Sequence, residues 1–338
     1  MMHKKSPTSL SSPSCKINCE DYTTCWTWGY RLLSCIAESQ SGMSRVYRAV
    51  QLGEGNTTDD LPPPSSQVTI KVVESENSLS QQLLHTVLAL SQKLPPHANI
   101  LDITHYFSSA RAEFIVSQTC RLGSLGIILS EKQYLGKGMA ETSSKLIISQ
   151  VCSGLTHLKM TGIPHGRLSC HNILMSEKFQ VKLCDYGFQH HAKHLQSIIN
   201  IVPVSTVGRA FQAPEVLQGC VQDDFAADIW SLGVVIYVVL HGVLPFSSED
   251  LDKMAKKENA PALCIRSSLS FSCVQLMRDL LTYSPWLRPD LSKVLQNRWL
   301  CDSTSTFPYK LPRRVTGALT KKTHSSLNKP SGAPLRVP

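Results

Sequence analysis

The sequence predicts an α+β fold in which a small β-rich first part, carrying one main helix, gives way to a larger and mostly helical second part. Three patterns predict it. Short β-branched and apolar runs bounded by Ser, Gly and Pro recur between residues 30 and 117, as strands do. One stretch among them, 79–94, instead repeats its leucines and valines at helical spacing. Beyond residue 140 the helical period dominates, and the run 229–246 is apolar almost throughout, as a helix buried on every side must be.

A chain of 338 residues with 42% hydrophobic content suits one large domain with flexible ends. Residues 1–24, rich in Ser, Thr, Lys and Pro, are expected to be a disordered leader, 25–300 the folded domain, and 301–338 a basic disordered tail. The net charge of +9 is uneven, because the tail holds Lys310, Arg313, Arg314, Lys321, Lys322, Lys329 and Arg336 against Asp302 alone. The body is therefore only weakly basic, which argues against a body that binds nucleic acid. The tail reads as a solvated linker, with its own ligand left open. Twelve cysteines include no C-x-x-C pair, so neither a zinc site nor a disulfide framework is indicated. Free thiols and a polar N-terminus point to a reducing compartment, cytoplasmic or nuclear. The apolar run 229–246 is interrupted by Ser231, Gly233, Tyr237, His241, Gly242 and Pro245, and reads as a buried helix, not a membrane span.

Taken in order, residues 30–36 and 45–50 read as two strands around Ser39-Gln40-Ser41-Gly42-Met43-Ser44. A polar insertion, 52–67, with the stiff triplet Pro62-Pro63-Pro64, precedes the strand Val68-Thr69-Ile70-Lys71-Val72-Val73. The helix 79–94 places Leu83, Leu84, Val87, Leu88 and Leu90 at helical spacing and stops at Pro95-Pro96. It has no carboxylate, for none lies between Glu76 and Asp102. Residues 101–106 and 113–117 continue the sheet, and Gln118 opens the connection to the second part. Residues 142–161 are helical, with Leu146, Ile147, Val151, Leu155 and Leu158 as the core stripe and His157 a structural residue on its flank. Then comes Ile163-Pro164-His165-Gly166-Arg167-Leu168-Ser169-Cys170-His171-Asn172, followed by a strand pair, 173–175 and 180–184, that ends in Asp185-Tyr186-Gly187. Farther on stand Phe211-Gln212-Ala213-Pro214-Glu215, Asp228-Ile229-Trp230-Ser231-Leu232-Gly233, His241-Gly242-Val243-Leu244-Pro245-Phe246 and Leu287-Arg288-Pro289.

In this order and spacing the segments resemble the motifs of serine/threonine protein kinases, over about residues 26 to 300. His165, Leu168 and Asn172 fall on the catalytic loop H-R-D-L-x-x-x-N, and Asp185-Tyr186-Gly187 on D-F-G. Lys71 falls on the lysine of V-A-I-K, with Thr69 at its alanine, and the serine-rich turn ending at Val46 on the glycine-rich loop. The resemblance implies a two-lobed protein-kinase fold with ATP between the lobes. Val46, Gln118 and Leu174 would surround the base, Lys71 would meet the phosphates, and Asn172 and Asp185 would hold Mg2+. It also implies that Arg288 pairs with Glu215, that Asp228 braces the catalytic loop, and that His165 stacks with Tyr186.

The departures concern chemistry. Arg167 stands where the family has its catalytic aspartate, Gly166 where it has arginine, and Ser169 where it has lysine. A guanidinium stays protonated and has no acceptor, so Arg167 cannot take a proton from an alcohol; it is expected to contact a phosphate instead. His171 is the one nearby substitute base. Ser39, Ser41 and Ser44 replace the three loop glycines and should hold backbone amides away from phosphate. Without a helix glutamate, Lys71 is expected to pair with Asp185. Gly166 leaves a phosphorylated Ser205-Thr206 region without its receiver, and the cluster His190-His191-Lys193-His194 reads as a solvated loop. Cys170 and Cys184 read as small buried thiols. Together these features imply a pseudokinase: impaired in catalysis, retaining ATP binding with or without Mg2+, and acting as a scaffold or regulator of other proteins, an active kinase among them. Two rivals stay open: an atypical active serine/threonine kinase with displaced groups, and an interaction module that binds no nucleotide.

Overall fold

Strands form where β-branched residues alternate with polar ones. In the computed structural model, which describes residues 16–39, 43–53, 67–74, 78–187, 206–258 and 262–301, β1 (Tyr30–Glu38) pairs antiparallel with β2 (Ser44–Gln51). β2 pairs with β3 (Gln67–Glu74), and β5 (Ala112–Gln118) lies between β3 and the edge strand β4 (Ile103–Ser108), giving the order β1-β2-β3-β5-β4. Every second residue faces inward, so Tyr47 and Ala49, Ile70 and Val72, Phe114 and Val116 build one core with Phe107. On the other face Leu84 and Leu88 of α2 (Ser78–Lys93) pack against Ile115. α2 has no acid to offer the sheet and reaches it through His85, whose Nε2 lies 3.0 Å from Oε1 of the fully buried Glu113.

Ordered structure begins earlier than the composition suggests. Residues 19–24, expected to be disordered, belong to helix α1 (Cys19–Thr27), capped by Asn18, whose side chain accepts from the N–H groups of Glu20 and Asp21. Asp21 is buried and accepts from Arg45 Nε at 2.7 Å, Arg45 Nη2 at 3.1 Å and the Tyr47 hydroxyl at 2.6 Å. Arg45 is completed by Glu74 Oε1 at 2.6 Å. Low hydrophobicity argued for disorder, but an acid that satisfies a buried arginine anchors a helix without apolar bulk. The expectation of uniformly free thiols is also corrected at one place: ten described cysteines are free, and Cys35 is disulfide-bonded.

The second lobe begins with β6 (Gly123–Ser124) and the short α3 (Leu125–Leu129), continues through α4 (Glu141–Met160), and returns through β7 (Ile173–Met175) and β8 (Val181–Leu183) in a three-stranded sheet β6-β7-β8. Helices α5 (Thr206–Arg209), α6 (Pro214–Leu217), α7 (Asp224–His241), α8 (Ser248–Ala255), α9 (Phe271–Leu280), α10 (Leu291–Leu295) and α11 (Arg298–Cys301) complete it. α7 is long and apolar enough to cross a membrane, but 78% of its length is buried inside this lobe, and its first turn is capped by Asp223. At its end Gly242 adopts φ +70°, and a Cβ there would meet the Tyr134 carbonyl oxygen at 2.1 Å, so only glycine fits. Arg288 forks onto Glu215 through Nη1–Oε1 at 2.6 Å and Nη2–Oε2 at 2.8 Å, with both groups buried, as expected. The segments 1–15, 54–66, 188–205 and 302–338, which include the histidine cluster and the basic tail, lie outside the described residues, as does Ser41.

Candidate functional site

The loop after α4 is positioned from beneath. Asp228 of α7 is buried and accepts the backbone N–H of His165 at 2.6 Å and of Gly166 at 2.8 Å, which is the brace expected from the sequence. Burial pushes its carboxyl up to about 7, against the pull of those two N–H donors. His165 is fully buried, which pushes its imidazole down to about 4 and keeps the ring neutral. Its Nδ1 accepts the Arg167 N–H at 3.3 Å, and its ring meets that of Tyr186 edge-on with centroids 6.4 Å apart. The Gly187 N–H donates to the His165 carbonyl at 3.0 Å, tying this loop to the end of β8. Gly166, at φ +73°, occupies a backbone region that favours glycine.

Three of the expected site residues meet in one hydrogen-bonded unit. Asn172 Nδ2 donates to the Arg167 carbonyl at 2.8 Å, and the Asn172 carbonyl accepts the Cys184 N–H at 3.1 Å. The next residue, Asp185, sits at φ +58° and accepts from Lys71 Nζ at 2.5 Å, the pairing expected once α2 lacked an acid. Val87 of α2 is buried and offers no charge. Burial would raise the Asp185 carboxyl, but Lys71, by charge and hydrogen bond, and then Arg167 by charge outweigh it and hold the group below the usual carboxylate range. Val46 lies directly across from Lys71 in the β2–β3 pair, and Leu174 is a half-buried apolar residue between the buried Ile173 and Met175. Gln118 is placed differently. Its side chain lines a cavity with Ser91, Lys182 and Tyr186, a set that includes neither Val46 nor Leu174, and its buried Nε2 has no partner. Its position at the end of β5, read as adenine-facing, says nothing about which way a long amide turns.

Where the chemistry departs, the geometry follows. The Ser44 N–H donates to Ser39 Oγ at 3.0 Å and the Ser39 N–H to the Ser44 carbonyl at 2.8 Å, so two amides of this turn are engaged with each other. Thr69 Oγ1 donates to Thr119 Oγ1 at 3.3 Å, directing its hydroxyl toward the lobe connection. His171 is turned toward α3: a Cβ on Gly126 would lie 2.8 Å from its ring, so the substitute base read from the sequence packs against a helix. The buried thiol read at Cys170 is found, while Cys184 is half-buried, and desolvation raises both thiols. Sequence reasoning missed the Asp21–Arg45–Glu74 cluster behind Val46. The signal was present, because strand alternation puts Arg45 on the same inward face as Tyr47 and Ala49, and a buried guanidinium requires a carboxylate.

This donor set separates a nucleotide from its metal. Lys71 and Arg167 supply positive charge for a polyphosphate. For a divalent cation there are two oxygen-bearing side chains of a suitable kind, Asn172 and Asp185, but the carboxylate is already ion-paired and a second cation acts on it. With Lys71 on Asp185, these side chains offer an anion two cations and offer a divalent cation no unpaired carboxylate.

A family model of the protein kinase domain matches residues 51–300. The chain belongs to the protein kinase family. The chain is 31% identical over 208 residues to the serine/threonine-protein kinase kin-29 of Caenorhabditis elegans, covering 62% of this chain and 24% of that relative. It is 29% identical over 261 residues to the human hormonally up-regulated neu tumor-associated kinase, covering 74% of this chain and 35% of that one. With mouse testis-specific serine/threonine-protein kinase 5 it shares 26% identity over 292 residues, 83% of this chain and 77% of the relative. The chain thus spans less than half the length of the first two curated relatives. The β-rich and helical lobes described above are those of the two-lobed α+β protein kinase fold. Within this protein kinase domain, Lys71, Asn172 and Asp185 stand together, and Arg167 stands with them.

Proposed function

We propose that this kinase domain is a pseudokinase that binds nucleotide, does not transfer phosphate, and acts by binding other proteins as a scaffold or allosteric regulator. The single observation behind this reading is Arg167, a permanent cation with no acceptor, at the position from which a kinase orients and deprotonates the incoming hydroxyl. The neighbouring carboxylates do not replace it. Asp185 is ion-paired with Lys71, and Asp228, though it touches the loop, is buried on two backbone N–H groups. His171 packs on Gly126. Lys71 and Arg167 would hold the phosphates, while Val46 and Leu174 would contact the base. What remains is a scaffold able to hold two lobes in a defined arrangement and present their surfaces to a partner, for which an active kinase in the cytoplasm or nucleus is the proposed class.

The test is transfer of radiolabelled phosphate from ATP to the chain itself and to a generic protein substrate. Label at the level of the Asp185→Ala variant is expected. Incorporation by the wild type that the Asp185→Ala variant lacks would overturn the reading in favour of an atypical active kinase.

A further inference from the structure

We infer that this cleft takes nucleoside polyphosphate without a divalent cation, the Arg167 guanidinium supplying the positive charge that a metal ion supplies in an active kinase. The inference deepens the nucleotide-binding part of the proposed function and rests on it.

Arg167 is fixed by its backbone and free at its tip. Its N–H is held by His165 Nδ1 at 3.3 Å and its carbonyl by Asn172 Nδ2 at 2.8 Å, yet its guanidinium has no hydrogen bond or ion pair among the described residues. Arg45 and Arg288 of the same chain are, in contrast, buried against carboxylates. An arginine whose five donors have no partner among the described residues is available to an external anion. The same Asn172 amide that fixes Arg167 belongs to the residue whose carbonyl holds Cys184, immediately before Asp185. The backbone of Arg167 is thus linked through Asn172 and Cys184 to the Lys71–Asp185 pair, and its guanidinium lies near enough for its charge to act on Asp185.

A divalent ion entering that unit would have to displace Lys71 from Asp185 at 2.5 Å and then sit near a second cation, Arg167. A polyphosphate faces the opposite balance, since it gains both cations and asks nothing of the carboxylate. The turn between β1 and β2 gives it less help than usual, because the amides of Ser39 and Ser44 are bonded within the turn. Side-chain charge must take over what backbone amides do elsewhere, and a guanidinium, with paired N–H groups matched to phosphate oxygens, is suited to that task.

The experiment is isothermal titration calorimetry of the full chain with ATP, in EDTA and in Mg2+, for the wild type, Arg167→Ala and Arg167→Lys. The wild type is expected to bind in EDTA at least as tightly as in Mg2+. Arg167→Ala should weaken binding in EDTA by about tenfold or more, the usual value of a lost charge-assisted hydrogen bond, and Arg167→Lys by less. Far-ultraviolet circular dichroism of each variant checks that it is folded, and the wild-type comparison of EDTA with Mg2+ stands without any variant. Binding that appears only with Mg2+, or an unchanged Kd in EDTA for Arg167→Ala, would overturn the inference while leaving the cleft a nucleotide site. Absence of binding by the wild type in both buffers would overturn the nucleotide reading itself, and this inference with it.

Discussion

Two arginines of this chain occupy opposite situations. Arg288 lies in the helical lobe, its side chain 1% exposed, forked onto Glu215 and donating further to the carbonyls of Thr282, Tyr283 and Ala226. Arg167 lies in the loop after α4, anchored among the described residues through its backbone. The difference teaches how to tell a scaffold charge from a site charge. A buried charge that supports the fold has its partners supplied by the chain, because leaving it unpaired would cost several kcal/mol. A charge directed at a ligand is held in place by its backbone and left unsatisfied at its tip.

Arg288→Met should lower stability by about 3–5 kcal/mol, because Glu215 would remain buried and unpaired. Arg167→Ala should change it by less than about 0.5 kcal/mol. Urea denaturation of both variants reads this directly, and equal losses would erase the distinction.

The next effect belongs to the loop that carries Arg167. An unfolded histidine takes up its proton near 6.5, and His165 in the folded protein only near 4. Between these values the unfolded chain holds more protons, so stability rises with pH through that window, is complete above it, and is lost as pH falls toward 4. His165→Phe should remove about 3 kcal/mol of that pH dependence, measured as the difference between the wild-type and variant stability curves. Parallel curves would place the charge of His165 outside the account.

A smaller loss is expected in the first lobe. Asp21→Asn leaves Arg45 with Glu74 but weakens its fork and the Tyr47 bond, for a loss of about 2 kcal/mol by thermal or chemical unfolding. The smallest is Asp252→Asn, which breaks the exposed pair with Arg209 and should cost under about 1 kcal/mol. A larger value there would mean that exposure is a poor guide to which charges support this fold.

The parts of the molecule that could be read from the sequence are those where a local rule and a pairing rule agree. Glu215 with Arg288, Asp228 under the loop, and Lys71 turning to Asp185 follow from residue types that can satisfy one another in the fold the motifs imply. α1 escaped because its stability resides in contacts of Asp21 with Arg45 and Tyr47, 24 and 26 positions away, which composition does not register. Gln118 escaped because strand register fixes the face its side chain occupies and not the direction in which a long, rotatable amide extends from it. His171 escaped because its neighbour is a glycine on another element, and a glycine gives no sign of what packs upon it. The free tip of Arg167 could be inferred in kind from the sequence, but its lack of a partner among the described residues is visible only when the surrounding carboxylates are seen to be engaged elsewhere.

The central claim is that a guanidinium holds the place of the base. Its most direct test is a single-turnover experiment with the purified chain in excess over ATP and with Mg2+ present, following ADP formation. The account predicts ADP at the level found without protein, unchanged in Asp185→Ala. ADP formed by the wild type and absent in Asp185→Ala would contradict it.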